Sequence, residues 1–186
     1  MTRITVACLD LVGTLVVEED SVLEAFSIAS ASQDGGVVGP YYAAAVHAGA
    51  VAPVAGATET LAVLRAAGIR ICLTTGFPPP ARDAVIDALG WHPLIDLALS
   101  ASDVGRGVPW PDLPLTALLR LGGGAVGELA VAGDTAGDVE SGLRAGAGVV
   151  AGVLTGAGSA AELEQAGAPH VLESITALIP LLRPAR

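Results

Sequence analysis

Three short runs in this chain place oxygen-bearing side chains where an apolar segment stops. The first is Asp10-Leu11-Val12-Gly13-Thr14, at the end of the apolar run 4–11. A carboxylate leaving a buried strand, with a glycine beside it to allow a tight turn, is placed to act as a nucleophile or a metal ligand. The second is Thr74-Thr75-Gly76-Phe77, after the apolar run 69–74. It offers hydroxyls and backbone N–H groups of the kind that hold phosphate oxygens. The third is Gly133-Asp134-Thr135-Ala136-Gly137-Asp138, after 129–132. Two carboxylates four residues apart, straddling a strand end and a helix start, suit a hard, oxygen-ligated cation such as Mg²⁺. Each run also has a plainer reading: an ordinary turn, a Thr75 N-cap, a capping aspartate followed by a surface one. The structural reading weakens when all three fall at equivalent strand ends of one sheet.

The elements that must position these residues alternate along the chain. Apolar runs predict strands at 4–11, 69–74, 95–100, 129–132, 148–153 and 170–172. Helical spacing, as at Val22, Leu23, Phe26 and Ile28, predicts helices at 20–32, 41–48, 58–67, 79–89, 113–121, 137–145, 160–166 and 175–182, with a loop at 33–40. Pro79 sits in the first turn of one helix and Gly90 follows its end, the usual asymmetry of start and stop. Repeated β-α alternation predicts an α/β fold, a three-layer open parallel sheet of Rossmann-like form. Ligands of such sheets sit beyond the carboxyl ends of the strands, where the three runs lie.

Composition narrows the function classes. Of 186 residues, 52% are hydrophobic but only 3% aromatic, so the core is built from Ala, Val, Leu and Ile, as suits a parallel sheet buried on both faces. A net charge of -10 argues against nucleic acid or an anionic membrane surface as partner. It leaves room for a phosphorylated small molecule, because a metal ion supplies local positive charge. All nine basic residues are arginine, so no lysine is available for a Schiff base or as a catalytic cation. Cys8 and Cys72 lie in strand-like runs and read as small buried hydrophobes rather than a disulfide or metal knuckle. Residues 35–58 carry no Asp, Glu or Arg, but Gly35, Gly36, Pro40, His47 and Pro53 break them up, against a membrane span. A soluble, cytoplasmic protein is expected.

The ordered motifs resemble those of the haloacid dehalogenase (HAD) superfamily, over 4–17 and roughly 56–182. The phosphonatase-like branch is nearest, through Leu73-Thr74-Thr75-Gly76-Phe77, Ala88-Leu89-Gly90-Trp91, Ala130-Val131-Ala132-Gly133-Asp134-Thr135 and Gly152-Val153-Leu154-Thr155-Gly156. The resemblance implies that Asp10 is a nucleophile forming a covalent aspartyl intermediate. It implies Mg²⁺ held by the Asp10 carboxylate, the Val12 main-chain carbonyl and Asp134, with Asp138 in support. Thr75 and the Gly76 N–H would bind the transferring group. It also implies a core of residues 1–17 and 54–186, with a helical cap inserted at 18–53. Two short helices are all that fit there, so the cap is very small and the mouth open to solvent. The substrate is then a phosphorylated or otherwise activated small molecule, or one that is large or carrier-bound. Alternatively the protein is a homodimer whose lid comes from the other subunit through the apolar stretch 41–54.

Two departures from the family pattern bear on chemistry. Phosphatases of the superfamily carry a general acid–base aspartate two residues after the nucleophile; here that position is Val12. Losing such an acid typically costs about 10²–10⁴-fold, so an unactivated ester would be a poor substrate. Phosphonatases also lack it but use a cap lysine, and a chain without lysine excludes phosphonoacetaldehyde hydrolysis by that route. In the segment from Asp103 to Asp112, register over Gly107, Pro109 and Pro111 places Val108 where the family's cation belongs. Arg106, two residues earlier, either takes over phosphate binding by a loop shift or is a solvated surface arginine. Three functions are therefore weighed. A hydrolase or phosphotransferase acting on an activated group, such as an acyl phosphate, is favoured because Asp10, Thr75, Asp134 and Asp138 remain. A HAD-fold protein with little catalysis and a binding or regulatory role is the alternative. Dehalogenase chemistry ranks last, since those relatives usually lack the Gly-Asp-Thr metal motif. His47, His92 and His170 fall outside the motifs.

Overall fold

The computed structural model describes residues 2–18 and 51–182. In chain order its strands are β1 (Val6–Asp10), β2 (Val16–Glu18), β3 (Val51–Pro53), β4 (Arg70–Thr75), β5 (Leu97–Ser100), β6 (Leu129–Gly133), β7 (Val149–Val153) and β8 (His170–Leu172). Its helices are α1 (Ala57–Ala66), α2 (Pro79–Leu89), α3 (Asp112–Arg120), α4 (Ala136–Ala145), α5 (Ala160–Gln165) and the short α6 (Ile179–Leu182). Six strands form one sheet in the order β5-β4-β1-β6-β7-β8, parallel throughout. From β1 the chain builds outward through β4 and β5, then returns to the other side of β1 with β6. The order reverses there, which opens a crevice at the carboxyl ends of β1 and β6.

Strand alternation divides the core into two layers. Val6 and Cys8 point to one face, with Cys72, Leu99, Leu129 and Val131, and meet Leu113, Ala117 and Leu118 of α3 and Ala145 of α4. Ala7 and Leu9 point to the other, with Ile71, Leu73, Ala130 and Ala132, against Leu61 and Leu64 of α1 and Ala81, Val85 and Ile86 of α2. Both faces are covered, which is why the strands read as continuous apolar runs. Cys8 and Cys72 are buried, free, and register partners on neighbouring strands.

The expected α/β sheet is the one found, and α2 has the expected bounds. Elsewhere the differences are local. The run 95–100 becomes a strand only at Leu97, because Asp96 accepts a hydrogen bond from the Ile71 N–H and pairs with Arg65. The helix expected at 175–182 is a 3-10 turn at Ile175–Leu178 followed by α6. The antiparallel pair β2–β3 was not expected; Val16 lies opposite Pro53 and Val17 opposite Ala52. Three-residue strands carry too little periodicity to be read from sequence. The residues flanking the stretch 19–50 are thus paired, β2 with β3. The helices expected at 20–32 and 41–48, and the loop 33–40, lie outside the described residues. No helix among the described residues is long and apolar enough to cross a membrane.

Candidate active site

Asp10 ends β1, and alternation sets it on the Val6 and Cys8 face of the sheet. Its register partner on β4 is Thr74. Past Asp10 the chain must turn sharply. Gly13 takes φ +83, and its N–H donates to the Val16 carbonyl at 2.8 Å. Val12 lies in this turn, bridged to Val16, and its side chain packs against the hydrophobic core.

Asp134 follows β6 and is held by groups far away in sequence. Its Oδ1 accepts from the Thr14 hydroxyl at 3.2 Å, and its Oδ2 from the Ala157 N–H at 2.8 Å. The Gly158 N–H donates to its carbonyl at 3.1 Å. The Thr155 hydroxyl closes the set by donating to the Gly13 carbonyl at 2.7 Å. A Cβ on Gly13 or Gly156 would collide with the Asp134 carboxylate, so glycine at both positions is what lets the two loops close around it. Asp138 belongs to the first turn of α4. Its Oδ2 accepts from the Thr135 N–H at 3.1 Å and the Thr135 hydroxyl at 2.5 Å, and its own N–H donates back to Thr135 Oγ1, a capping box.

These arrangements bring one oxygen each from Asp10, Asp134 and Asp138 within 4.8 Å of one another. Asp134 and Asp138 are buried. Burial, and then the charges of Asp138 and Asp134, hold the Asp10 carboxyl well above the usual carboxylate range. Burial raises Asp138 to about 6 against the opposing bonds from Thr135, and raises Asp134 despite its bonds from Ala157 and Thr14. Three converging carboxylates, two of them buried, repel one another unless protonated or neutralised, and an oxygen-seeking divalent cation is the matching charge. The donor set therefore fits Mg²⁺.

The pocket beside this cluster is lined by Asp10 and Asp138, by Thr74, Thr75 and Gly76, and by Ala101, Gly107, Val108 and Leu113. The strand-end residues expected from sequence thus meet in one place. Thr75 Oγ1 accepts from the Phe77 N–H at 3.1 Å, which leaves its own proton to donate outward. Arg106 is not brought into the pocket. Its Nε and Nη2 donate to the two Asp112 oxygens at 2.9 and 2.7 Å, and its guanidinium stacks 4.6 Å from the Trp110 ring centroid. Of the two readings of Arg106, the structure has the surface one, while Val108 itself lines the pocket. Sequence reasoning gave Leu113 no place in the site and named Thr74 only within its motif. Register singles Thr74 out, since it shares parity with Cys72 and lies opposite Asp10.

The carboxylate cluster makes stability depend on pH in a definite sense. A carboxyl raised in the folded state holds its proton where the unfolded chain has lost it. Stability of the metal-free protein therefore falls as pH rises from about 4 through about 6, the window set by Asp138, with Asp10 and Asp134 acting in the same direction. Mg²⁺ needs the ionised forms, so its stabilisation grows over the same interval. Thermal melts across pH, with Mg²⁺ and with chelator, should show the two curves separating as pH rises. The shape-conserving Asp134→Asn should narrow the gap. Parallel curves would argue against a cation at this cluster.

The model of the haloacid dehalogenase-like hydrolases matches residues 37–146 of the chain. No curated protein matches the sequence. Among solved structures, the chain is similar to a hydrolase from Pseudomonas syringae at 25% identity and TM-score 0.79, covering 96% of this chain and 97% of that one. It is similar to a HAD family hydrolase from Deinococcus radiodurans R1 with bound phosphate and sodium, at 26% identity and TM-score 0.75, covering 98% and 99%. It shares the fold of a phosphonoacetaldehyde hydrolase-like protein from Oleispira antarctica, at 21% identity and TM-score 0.76, covering 97% and 92%.

Proposed function

The chain belongs to the haloacid dehalogenase-like hydrolases, and on that premise we propose that it moves phosphoryl groups from an activated small molecule to Asp10 and then to water, with Mg²⁺ as cofactor. The observation that carries this reading is the convergence of Asp10, Asp134 and Asp138 beside Thr74, Thr75 and Gly76 in one pocket. The Asp10 carboxylate, the Val12 carbonyl, Asp134 and Asp138 would hold the cation. When bound, it supplies screening between Asp10 and an anionic substrate and offsets charge on the phosphoryl oxygens.

The chain's own residues divide the remaining work. Asp10 offers the attacking oxygen. The Thr75 hydroxyl and the backbone at Gly76, where nothing lies within 4 Å of a Cβ position, orient the transferring oxygens. The latch of Thr14, Thr155 and Ala157 keeps the Asp134 carboxylate fixed relative to the turn after Asp10. That the similar Deinococcus radiodurans hydrolase has bound phosphate and sodium supports a reading in which this chain takes both an anion and a cation. Among the described residues we assign none to replace the acid missing at Val12, so the leaving group is one that departs unaided, as from an acyl phosphate. The small insertion between β2 and β3 favours a mouth open to solvent, a large or carrier-bound substrate, or a lid from a second subunit; a cytoplasmic setting suits such a substrate.

A screen of acyl phosphates and simple phosphate esters, with and without Mg²⁺, tests this. Mg²⁺-dependent turnover of acyl phosphates is expected, with esters slower by about 10²–10⁴-fold. A folded, Mg²⁺-loaded protein that turns over neither class would overturn the reading in favour of the binding or regulatory role.

A further inference from the structure

We infer that the pocket accepts the transferring group carrying one negative charge rather than two: the protonated form of a phosphate monoester or acyl phosphate, or a phosphoryl centre with a single ionisable oxygen. The inference rests on the reading of Asp10 as phosphoryl acceptor, and deepens it. It comes from an accounting of charge around the pocket. The titratable groups facing the space are Asp10 and Asp138, with Asp134 adjoining them. With Mg²⁺ bound, the three carboxylates in the ionised form it needs would leave the site with a net negative charge. Ala101, Val108 and Leu113, which share the lining, are all apolar.

No arginine among the described residues makes up the difference. Arg106 is bound at both ends of its fork by Asp112, and Arg82, the most buried of those in ion pairs, is shared by Asp83 and Asp103. Arg144 pairs with Glu140 and donates to the Pro109 carbonyl. Arg65 pairs with Asp96, which precedes β5, Arg70 opens β4 at the opposite end of the strand from Thr75, and Arg3 precedes β1, whose far end carries Asp10. Arg120 closes α3, seven residues from pocket-lining Leu113 and so roughly 10 Å further along the helix. The sequence of the insertion adds no permanently charged cation, its one basic side chain being His47. Residues 19–50 contain Glu19, Asp20, Glu24 and Asp34 but neither lysine nor arginine.

A doubly charged group entering this pocket meets net repulsion that a singly charged one halves. For a monoester the same choice answers the missing acid. As Asp10 forms its bond to phosphorus and the bond from phosphorus to the leaving oxygen breaks, the electron pair departs with that oxygen. The P–OH proton moves to it, so no protein acid is needed. Asp10 is left carrying a dianionic phosphoryl group, and the total charge is unchanged.

The test is run at one fixed neutral pH, so that the site carboxylates do not titrate between arms. Mg²⁺-loaded wild type, Val108→Lys and the neutral control Val108→Gln are compared. Calorimetry measures binding of sulfate, a tetrahedral dianion, and of methyl methylphosphonate, a tetrahedral monoanion. Turnover compares 4-nitrophenyl phosphate with 4-nitrophenyl methylphosphonate. Val108 is half exposed, so its replacement should leave folding intact. The preference for monoanion over dianion should be roughly tenfold or more greater in wild type and Val108→Gln than in Val108→Lys. Sulfate binding wild type as tightly as it binds Val108→Lys, or equal preferences in all three proteins, would overturn the inference alone. Failure of both anions to bind any of the proteins would overturn it together with the phosphoryl reading.

Discussion

Asp10→Asn is expected to abolish turnover, by at least about a thousandfold, while making the metal-free protein more stable. The loss follows from removing the attacking oxygen, since an amide is not a nucleophile at phosphorus, and deleting a covalent nucleophile costs more than deleting any group that assists it. The gain has a separate cause. Burial and the charges of Asp138 and Asp134 oppose ionisation of Asp10, so at neutral pH its charge is a cost that folding must overcome. Asparagine keeps the shape and removes the charge, and each kcal/mol relieved raises Tm by about 2–4 °C in a chain of this size. Added Mg²⁺ should then stabilise the variant less than the wild type, because one anionic ligand is gone. Single-turnover kinetics and paired melts with and without Mg²⁺ check both halves. Residual activity near the wild-type level would remove Asp10 from the mechanism. Lower stability without metal would show that the cluster is not under charge strain.

Val12→Asp is the second large effect, and it runs the other way. Turnover of simple phosphate monoesters should rise by about tenfold to a thousandfold, the lower part of the acid–base range because the surrounding turn is shaped for valine. Val12 sits two residues past Asp10 in the turn closed by the Gly13 to Val16 hydrogen bond, and packs partly against the core. A carboxyl group here must swing from that apolar contact toward the pocket. The gain should be greater on esters than on acyl phosphates, whose leaving group needs no proton. A variant that folds, binds Mg²⁺ and gains nothing on esters would mean that proton delivery does not limit the reaction.

What could be read in advance followed a simple division. The α/β sheet was legible because burial on both faces forces apolar strands, and because glycine and proline mark helix ends regardless of tertiary context. Asp10, Thr75, Asp134 and Asp138 were legible because a parallel strand delivers its last side chains to one edge of the sheet, and six parallel strands share that edge. The β2–β3 pair was not, since three residues carry no usable period and the partner strand lies more than thirty positions away. Arg106 could not be decided either. Its distance in sequence from the motif allowed both outcomes, and the choice fell to Asp112 and Trp110, whose bidentate bond and ring face outcompete the pocket for the guanidinium.

The sequence by itself determined which charges this protein has to spend: three motif aspartates, no lysine, and valine at both positions where the family places a proton donor and a cation. Those are properties of composition and strand-end position, and folding cannot add a group the chain lacks. Tertiary structure decided which of the remaining groups meet. It closed Thr14 and Ala157 on Asp134 and Thr155 on Gly13, the last across 142 positions, and put Thr74 beside Asp10. It also turned Arg106 outward and left Val108 and Leu113 facing the carboxylates. Backbone geometry at a strand end is local and can be read along the chain. A side chain's partner is chosen by competition among all the groups that packing brings within reach, and that competition exists only in three dimensions.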